Sequence, residues 1–342
     1  MNVAIITPYF HPAVRGTAVT VRRIAKYLAG SGCRVHICSL DIDHAENVCA
    51  SIREFAPELI HAFHGHLGGR VARLTAQEMG VPYIVTLTGS DVYEALEDSR
   101  REETHAALRE AAALVVFDKC VKKKVADHFP SLAEKTFVIP QGVELPDKEC
   151  SSPPVPMPEG AFIFFLPAGL RPVKDVLFAL EPLAALYRSE PRLAFLLAGP
   201  VLDAGYAAEV MARMEQYPFA HYLGGVGHDS LGCLYRKADV VLNTSRFEGG
   251  MANSVLEAMA AGRPVLAADI EGNRSVVRDG VTGLLYRDGE DFREKALALL
   301  TDVDLGKRLG ENGLRLAREE YRPEAEAQAY IRLYERIRER GL

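Results

Sequence analysis

No long basic tract runs through this chain, which disfavours wholesale nucleic-acid binding, because that needs a concentrated positive face opposite the phosphates. Neither sign of charge dominates: 40 Lys and Arg stand against 46 Asp and Glu, a net charge of −6 over 342 residues. No apolar run approaches the ~18 residues that a membrane-spanning helix needs, so a soluble chain, at most peripheral to a membrane, is expected. The six cysteines, at 33, 38, 49, 120, 150 and 233, form no Cys-x-x-Cys pair. The N-terminus reads as a strand rather than a secretory leader, and reduced thiols in a cytoplasmic protein are the expectation. The loop after that first strand lacks Gly-x-Gly-x-x-Gly, the dinucleotide fingerprint, so a dehydrogenase is disfavoured.

Hydrophobic residues make up 48% of the chain, enough to bury two ordinary cores, and two domains are expected. Runs at 2–7, 34–40, 58–63, 81–87, 113–117 and 136–139 read as buried strands. Segments with helical spacing lie near 17–28, 45–55, 100–111 and 119–129. Strands alternating with helices predict a parallel sheet. The proline- and serine-rich run at 150–158 cannot join a sheet interior and marks a linker. The predicted division is therefore a first domain over 1–145, a linker over 146–160 and a second domain over 161–322. Alternation resumes in the second domain with strands at 162–166 and 193–198.

The most informative stretch lies between two apolar runs, 239–244 and 264–268. It reads Ser245-Arg246-Phe247-Glu248-Gly249-Gly250-Met251-Ala252-Asn253-Ser254 and continues as a helix carrying Glu257. Asn253 or Ser254 is the expected N-cap. The N-terminus of a helix attracts anions, and glycines let phosphates approach the backbone. Glu257, one turn into the helix, would repel a bare phosphate. It suits a ligand that also carries hydroxyls, such as a ribose or a sugar; an ordinary Gly-rich turn with solvated glutamates is the alternative. A second strand-to-helix loop holds Leu170-Arg171-Pro172-Val173-Lys174-Asp175. Arginine grips a diphosphate bidentately and lysine acts on it as a point charge.

These two loops resemble the donor signatures of the retaining glycosyltransferases of family four. Leu-Arg-Pro-Val-Lys-Asp and Thr88-Gly89-Ser90-Asp91-Val92-Tyr93 are similar to variants in two subgroups, the vertebrate glycosyltransferase 1 domain-containing proteins and the bacterial selenosugar synthases. The resemblance covers nearly the whole chain, most strongly 160–290. It implies the α/β GT-B fold: two Rossmann-like parallel-sheet domains facing a central cleft, with the last helix, about 324–342, packing back on the first. It implies a hexosyltransferase that moves a sugar from a nucleotide-sugar donor, a UDP-sugar by expectation, with retained configuration. No metal and no cofactor are implied.

In that reading Arg171, Lys174 and Glu248 are catalytic. Gly16, Gly250, Met251, Ala252, Asn253, Ser254 and Glu257 bind the donor, and Glu257 takes the ribose hydroxyls. His64, Thr88 and Asp91 are the candidates for acceptor or sugar contacts. Two departures stand out. Glu248 and Glu257 enclose eight residues where the family usually has seven, an excess that a bulge at Gly249-Gly250 would absorb. Thr88 stands where the family often has a histidine.

Other features take plainer readings. His61 alternates inward and reads as a core histidine, and neither His61-His64-His66 nor Asp41-x-Asp43 completes a metal set. Lys122-Lys123-Lys124 reads as a solvated helix face, with a peripheral membrane contact as its alternative. The acceptor is not identified by any residue. A sugar-nucleotide 2-epimerase of the same fold and a non-catalytic nucleotide-sugar-binding protein are the rival readings.

Overall fold

Runs of apolar, often β-branched residues build two parallel sheets whose central strands are buried on both faces, as helix-covered sheets require. The protein is described by a computed structural model over residues 1–11, 15–43, 45–89, 101–144 and 160–339. It divides into two compact units, one of Met1–Gly142 with Arg322–Leu342 and one of Val143–Tyr321. Most of the expected linker lies outside the described residues.

The first unit contains β1 (Asn2–Thr7), β2 (Arg34–Ser39), β3 (Leu59–Phe63), β4 (Tyr83–Thr86), β5 (Ala113–Val116) and β6 (Thr136–Val138). Their order is β2-β1-β3-β4-β5-β6, all parallel. The predicted strands are up to three residues longer than those observed; Leu40, Leu87 and Ile139 each donate one backbone N–H to the neighbouring strand but lie just beyond the paired segments. The helix Pro323–Glu339 belongs to this unit and packs Tyr330, Leu333, Tyr334 and Ile337 against β1, β3, β4 and β5. Its start is fixed by a buried ion pair: Arg23 Nε donates to Glu326 Oε2 at 2.9 Å, and the guanidinium also reaches Glu326 Oε1 at 3.1 Å. A Cβ on Gly142 would come within 2.7 Å of the Pro323 Cα, so the chain can pass there only as glycine.

His61 is a core residue. It is fully buried, with Nδ1 2.7 Å from the Tyr334 hydroxyl and Nε2 2.7 Å from Thr86 Oγ1. Asp41 and Asp43 fold back on Ser39, Asp43 accepting its backbone N–H at 3.1 Å and Asp41 its hydroxyl. Lys123 pairs with Asp127 one turn along its helix. Cys33, Cys38, Cys49 and Cys120 carry free thiols. Cys233 is disulfide-bonded, which corrects the expectation that every cysteine is reduced.

The second unit contains β7 (Phe162–Pro167), β8 (Leu193–Ala198), β9 (Ala220–Tyr222), β10 (Val240–Asn243), β11 (Val265–Ala268) and β12 (Leu284–Tyr286). Their order is β12-β11-β10-β7-β8-β9, again parallel. The chain winds one way from β7 and the other way from β10. The switch point therefore lies between these neighbours, and in such sheets ligands bind beyond the strand ends at this position. Among the described residues no helix is long and apolar enough to cross a membrane.

Candidate active site

Two loops leave the sheet at the β7–β10 switch point, and they carry the residues singled out from sequence. The first leaves β7. Arg171 is extended (φ −155°, ψ 151°) and precedes a single 3₁₀ turn, Pro172–Lys174, with proline at its first position. Arg171 is exposed, and its guanidinium takes part in no ion pair among the described residues. Lys174 sits at the end of the turn, its N–H bonded to the Arg171 carbonyl at 3.0 Å.

The second loop leaves β10 through three buried polar residues, Asn243, Thr244 and Ser245. Buried polar groups must be bonded, and these are bonded to the first loop and to Glu248. The Thr244 hydroxyl donates to the Lys174 carbonyl at 2.8 Å, and the Arg246 N–H to the Val173 carbonyl at 3.0 Å. Glu248 Oε1 accepts from Lys174 Nζ at 2.5 Å, from the Ser245 hydroxyl at 2.6 Å and from Asn243 Nδ2 at 3.2 Å. Burial alone would push the Glu248 carboxyl up. The charge of Lys174, with the bonds from Lys174, Ser245 and Asn243, outweighs burial and holds the group below its ordinary value. Lys174 and Glu248 thus form a charged pair whose side chains are 19% and 13% exposed.

Glycine shapes the rest of this loop. Gly250 has φ +145°, a backbone open to glycine and costly for other residues. Gly272, in the turn that follows β11, lies so close that a Cβ would come within 2.6 Å of both the Glu248 Cβ and the Gly250 carbonyl. The helix Asn253–Ala260 then begins one or two residues earlier than the expected caps, Asn253 or Ser254, imply. Its N-cap is Ala252, whose carbonyl accepts the N–H of Val255 and of Leu256, each at 3.1 Å. Asn253 and Ser254 therefore belong to the first turn and are not caps. Ser254 turns its oxygen to Asn243 Nδ2 instead, at 3.4 Å.

Glu257 is buried and bonded through both oxygens. His228 Nε2 lies 2.9 Å from Oε1, and the Tyr235 hydroxyl donates to Oε2 at 2.7 Å. Burial and then the neighbouring Glu257 charge push the Tyr235 hydroxyl well up, so it stays protonated as a donor. Sequence reasoning missed His228 and Tyr235. They stand seven apart on the helix His228–Lys237, two turns on one face, a spacing that could have marked them. It also missed Asn243 and Asn273, whose Nδ2 donates to Asn243 Oδ1 at 3.2 Å and to the Ala268 carbonyl at 2.8 Å.

The structure therefore joins Lys174, Glu248 and Ser254 through Asn243, and holds Gly250, Met251 and Ala252 in the same loop. The remaining sequence candidates are in the first unit. Gly16 opens the helix Gly16–Gly30 after β1. His64, at the end of β3, has φ +72°, is buried, and accepts the Leu67 N–H on Nδ1 at 3.2 Å. These two ends flank the switch point of the first sheet. Thr88 is half-buried after β4. Asp91 lies outside the described residues. His66 Nδ1 is 3.2 Å from the Thr104 hydroxyl. Among the described residues no group of three or more His, Cys, Asp or Glu is placed to hold a metal ion.

Residues 161–302 match the family model for glycosyl transferases group 1, a span that takes in both switch-point loops. The second unit is a group 1 glycosyl transferase domain. The chain is 27% identical over 259 residues to glycosyltransferase 1 domain-containing protein 1 of Xenopus tropicalis, covering 73% of this chain and 75% of that relative. It is 30% identical over 274 residues to the D-inositol 3-phosphate glycosyltransferase of Geodermatophilus obscurus, covering 72% of this chain but 60% of the relative. Among solved structures, sucrose-phosphate synthase from Thermosynechococcus elongatus matches with a TM-score of 0.82 at 20% identity, over 98% of each chain. HepE from Anabaena, solved in complex with UDP-glucose, matches with a TM-score of 0.79 at 17% identity, over 98% of this chain and all of that one. The fold is GT-B.

Proposed function

We propose that the protein transfers a sugar from a UDP-sugar to an acceptor with retention of configuration, using the β7–β10 switch point as the donor site. The observation that carries this reading is the placing of an exposed arginine and a lysine on one loop, the lysine bonded to a glutamate on the glycine-bearing loop beside it. Arg171 and Lys174 hold the donor diphosphate and stabilise the charge that grows on it as the sugar–phosphate bond breaks. Glu248 orients the sugar. Each carboxylate oxygen of Glu257 has a second lone pair beyond its protein bond, and these accept the ribose hydroxyls. Backbone N–H groups from Gly250 to Ser254, at the start of the helix that carries Glu257, hold sugar or phosphate. A leaving-phosphate oxygen assists deprotonation of the acceptor, and the route needs neither a metal nor a protein nucleophile. The UDP choice draws on the nucleotide held by HepE, which has the same fold.

A thermal-shift panel of UDP, GDP, ADP, their common sugars and NAD tests the donor assignment. A ligand at one hundred times its dissociation constant adds about 2.7 kcal/mol. UDP and a UDP-sugar are expected to raise the melting temperature, NAD to leave it unchanged, and Lys174→Ala to diminish the shift while the protein stays folded. Stabilisation by none of the nucleotides would sink the proposal. Conversion of the donor's sugar to its 2-epimer without any acceptor, followed by sugar NMR, would point instead to an epimerase.

A further inference from the structure

Asp175 is a non-glycine residue in the left-handed region, at φ +43° and ψ +45°. The other two such residues described, Ala56 and His64, are both in the first unit. Glycine takes this conformation without steric cost, and aspartate is among the few other residues that tolerate it. The chain uses aspartate here, immediately after Lys174, and both carboxylate oxygens are engaged. Arg246 Nε donates to Oδ2 at 2.8 Å and Arg246 Nη2 to Oδ1 at 3.1 Å, a bidentate grip across the two switch-point loops. The backbone is bonded beside it, Arg246 N–H to the Val173 carbonyl and Thr244 Oγ1 to the Lys174 carbonyl.

The Arg246 side chain is 70% exposed, and an ion pair in that setting contributes little to stability. Stability is therefore a poor reason for a carboxylate at a left-handed position. A geometric reason is at hand: the pair brackets Lys174, fixing the backbone on its C-terminal side to the loop that carries Glu248. We propose that Asp175 and Arg246 are positioning residues, a clamp that holds the Lys174 ammonium against Glu248 and in register for an anionic group. This rests on the assignment of Lys174 to the donor diphosphate, but the clamp itself has a readout independent of any nucleotide.

That readout is the rate at which the Lys174 amine is acylated by acetic anhydride, followed by mass spectrometry. Asp175→Gly keeps the left-handed backbone and removes only the carboxylate; Arg246→Ala removes the other half. Each is expected to leave the melting temperature unchanged, to speed Lys174 acylation several-fold and to weaken UDP binding, measured by calorimetry, about tenfold. The double variant should be no worse than either single one. In a Lys174→Ala background, Asp175→Gly should cost UDP binding nothing further. Acylation at the wild-type rate in both single variants would overturn the clamp, as would a binding loss of equal size with Lys174 already removed. Wild-type protein that ignores UDP would instead count against the donor assignment, and the acylation rates would still decide the clamp.

Discussion

At the scale of single residues, His61 shows how burial sets chemistry. Its ring is enclosed by Phe63, Tyr330 and Tyr334, and desolvation lowers its pKa from the ordinary 6.5 to about 3. The unfolded chain therefore takes up a proton that the folded chain refuses. Stability is complete above about pH 6.5 and falls as the pH drops from there toward about 3, by at most ~1.4 kcal/mol per pH unit. Urea unfolding at pH 7, 6 and 5 should show this decline, and His61→Gln should flatten it even though that variant starts less stable. An equal slope in both proteins would refute the assignment. Glu248 acts at lower pH: its carboxyl is held low, so its contribution is present above the ordinary carboxylate value and lost only as the pH falls through its lower folded one. Inward alternation was enough to place His61 in the core. Its hydroxyl partner Tyr334 is 273 residues away in sequence, and no local pattern could have joined the two.

At the scale of elements, the helix Pro323–Glu339 depends on a pair that hydrophobic spacing does not reveal. Arg23 and Glu326 are both buried, with side chains 5% and 1% exposed, and Gln141 Oε1 completes the network by accepting from Thr20 Oγ1 at 2.8 Å. Removing one partner leaves the other charge unpaired away from water, which costs about 3–5 kcal/mol. Glu326→Leu should therefore lower the denaturation midpoint strongly, and combining it with Arg23→Met should recover much of the loss. No recovery in the double variant would mean that the pair does not carry the cost. The helix Asn253–Ala260 makes the complementary point. Its existence followed from spacing, but its start did not, since Asn243 draws Ser254 away from the capping role that its residue type favours.

At the scale of the whole molecule, the two units differ in continuity. Val143–Tyr321 is one uninterrupted piece, whereas the other unit needs Arg322–Leu342 to complete it. A fragment of residues 143–321 should fold cooperatively on its own, as a domain with its own core does, and it should keep the UDP-induced stabilisation. A fragment of residues 1–142 lacks Tyr330 and Tyr334 against His61 and should bind the apolar dye ANS or aggregate. Circular dichroism melts of both fragments would check this, and an unfolded 143–321 would contradict it. The sequence by itself determined the alternating strands and helices, the two loops bearing Arg171, Lys174, Glu248 and Glu257, and the inward face of His61. These depend on local periodicity and on glycine, proline and charge at strand ends, all of which act over a few residues. Only the tertiary structure decided that Lys174 is bonded to Glu248, that Glu257 is held by His228 and Tyr235, and that Gly272 makes room for the loop. Those contacts join residues 22 to 74 positions apart. The first exists because strand order places β10 beside β7, and the third because β11 lies beside β10; the second joins the helices on either side of β10, and strand order is settled by how the whole sheet packs.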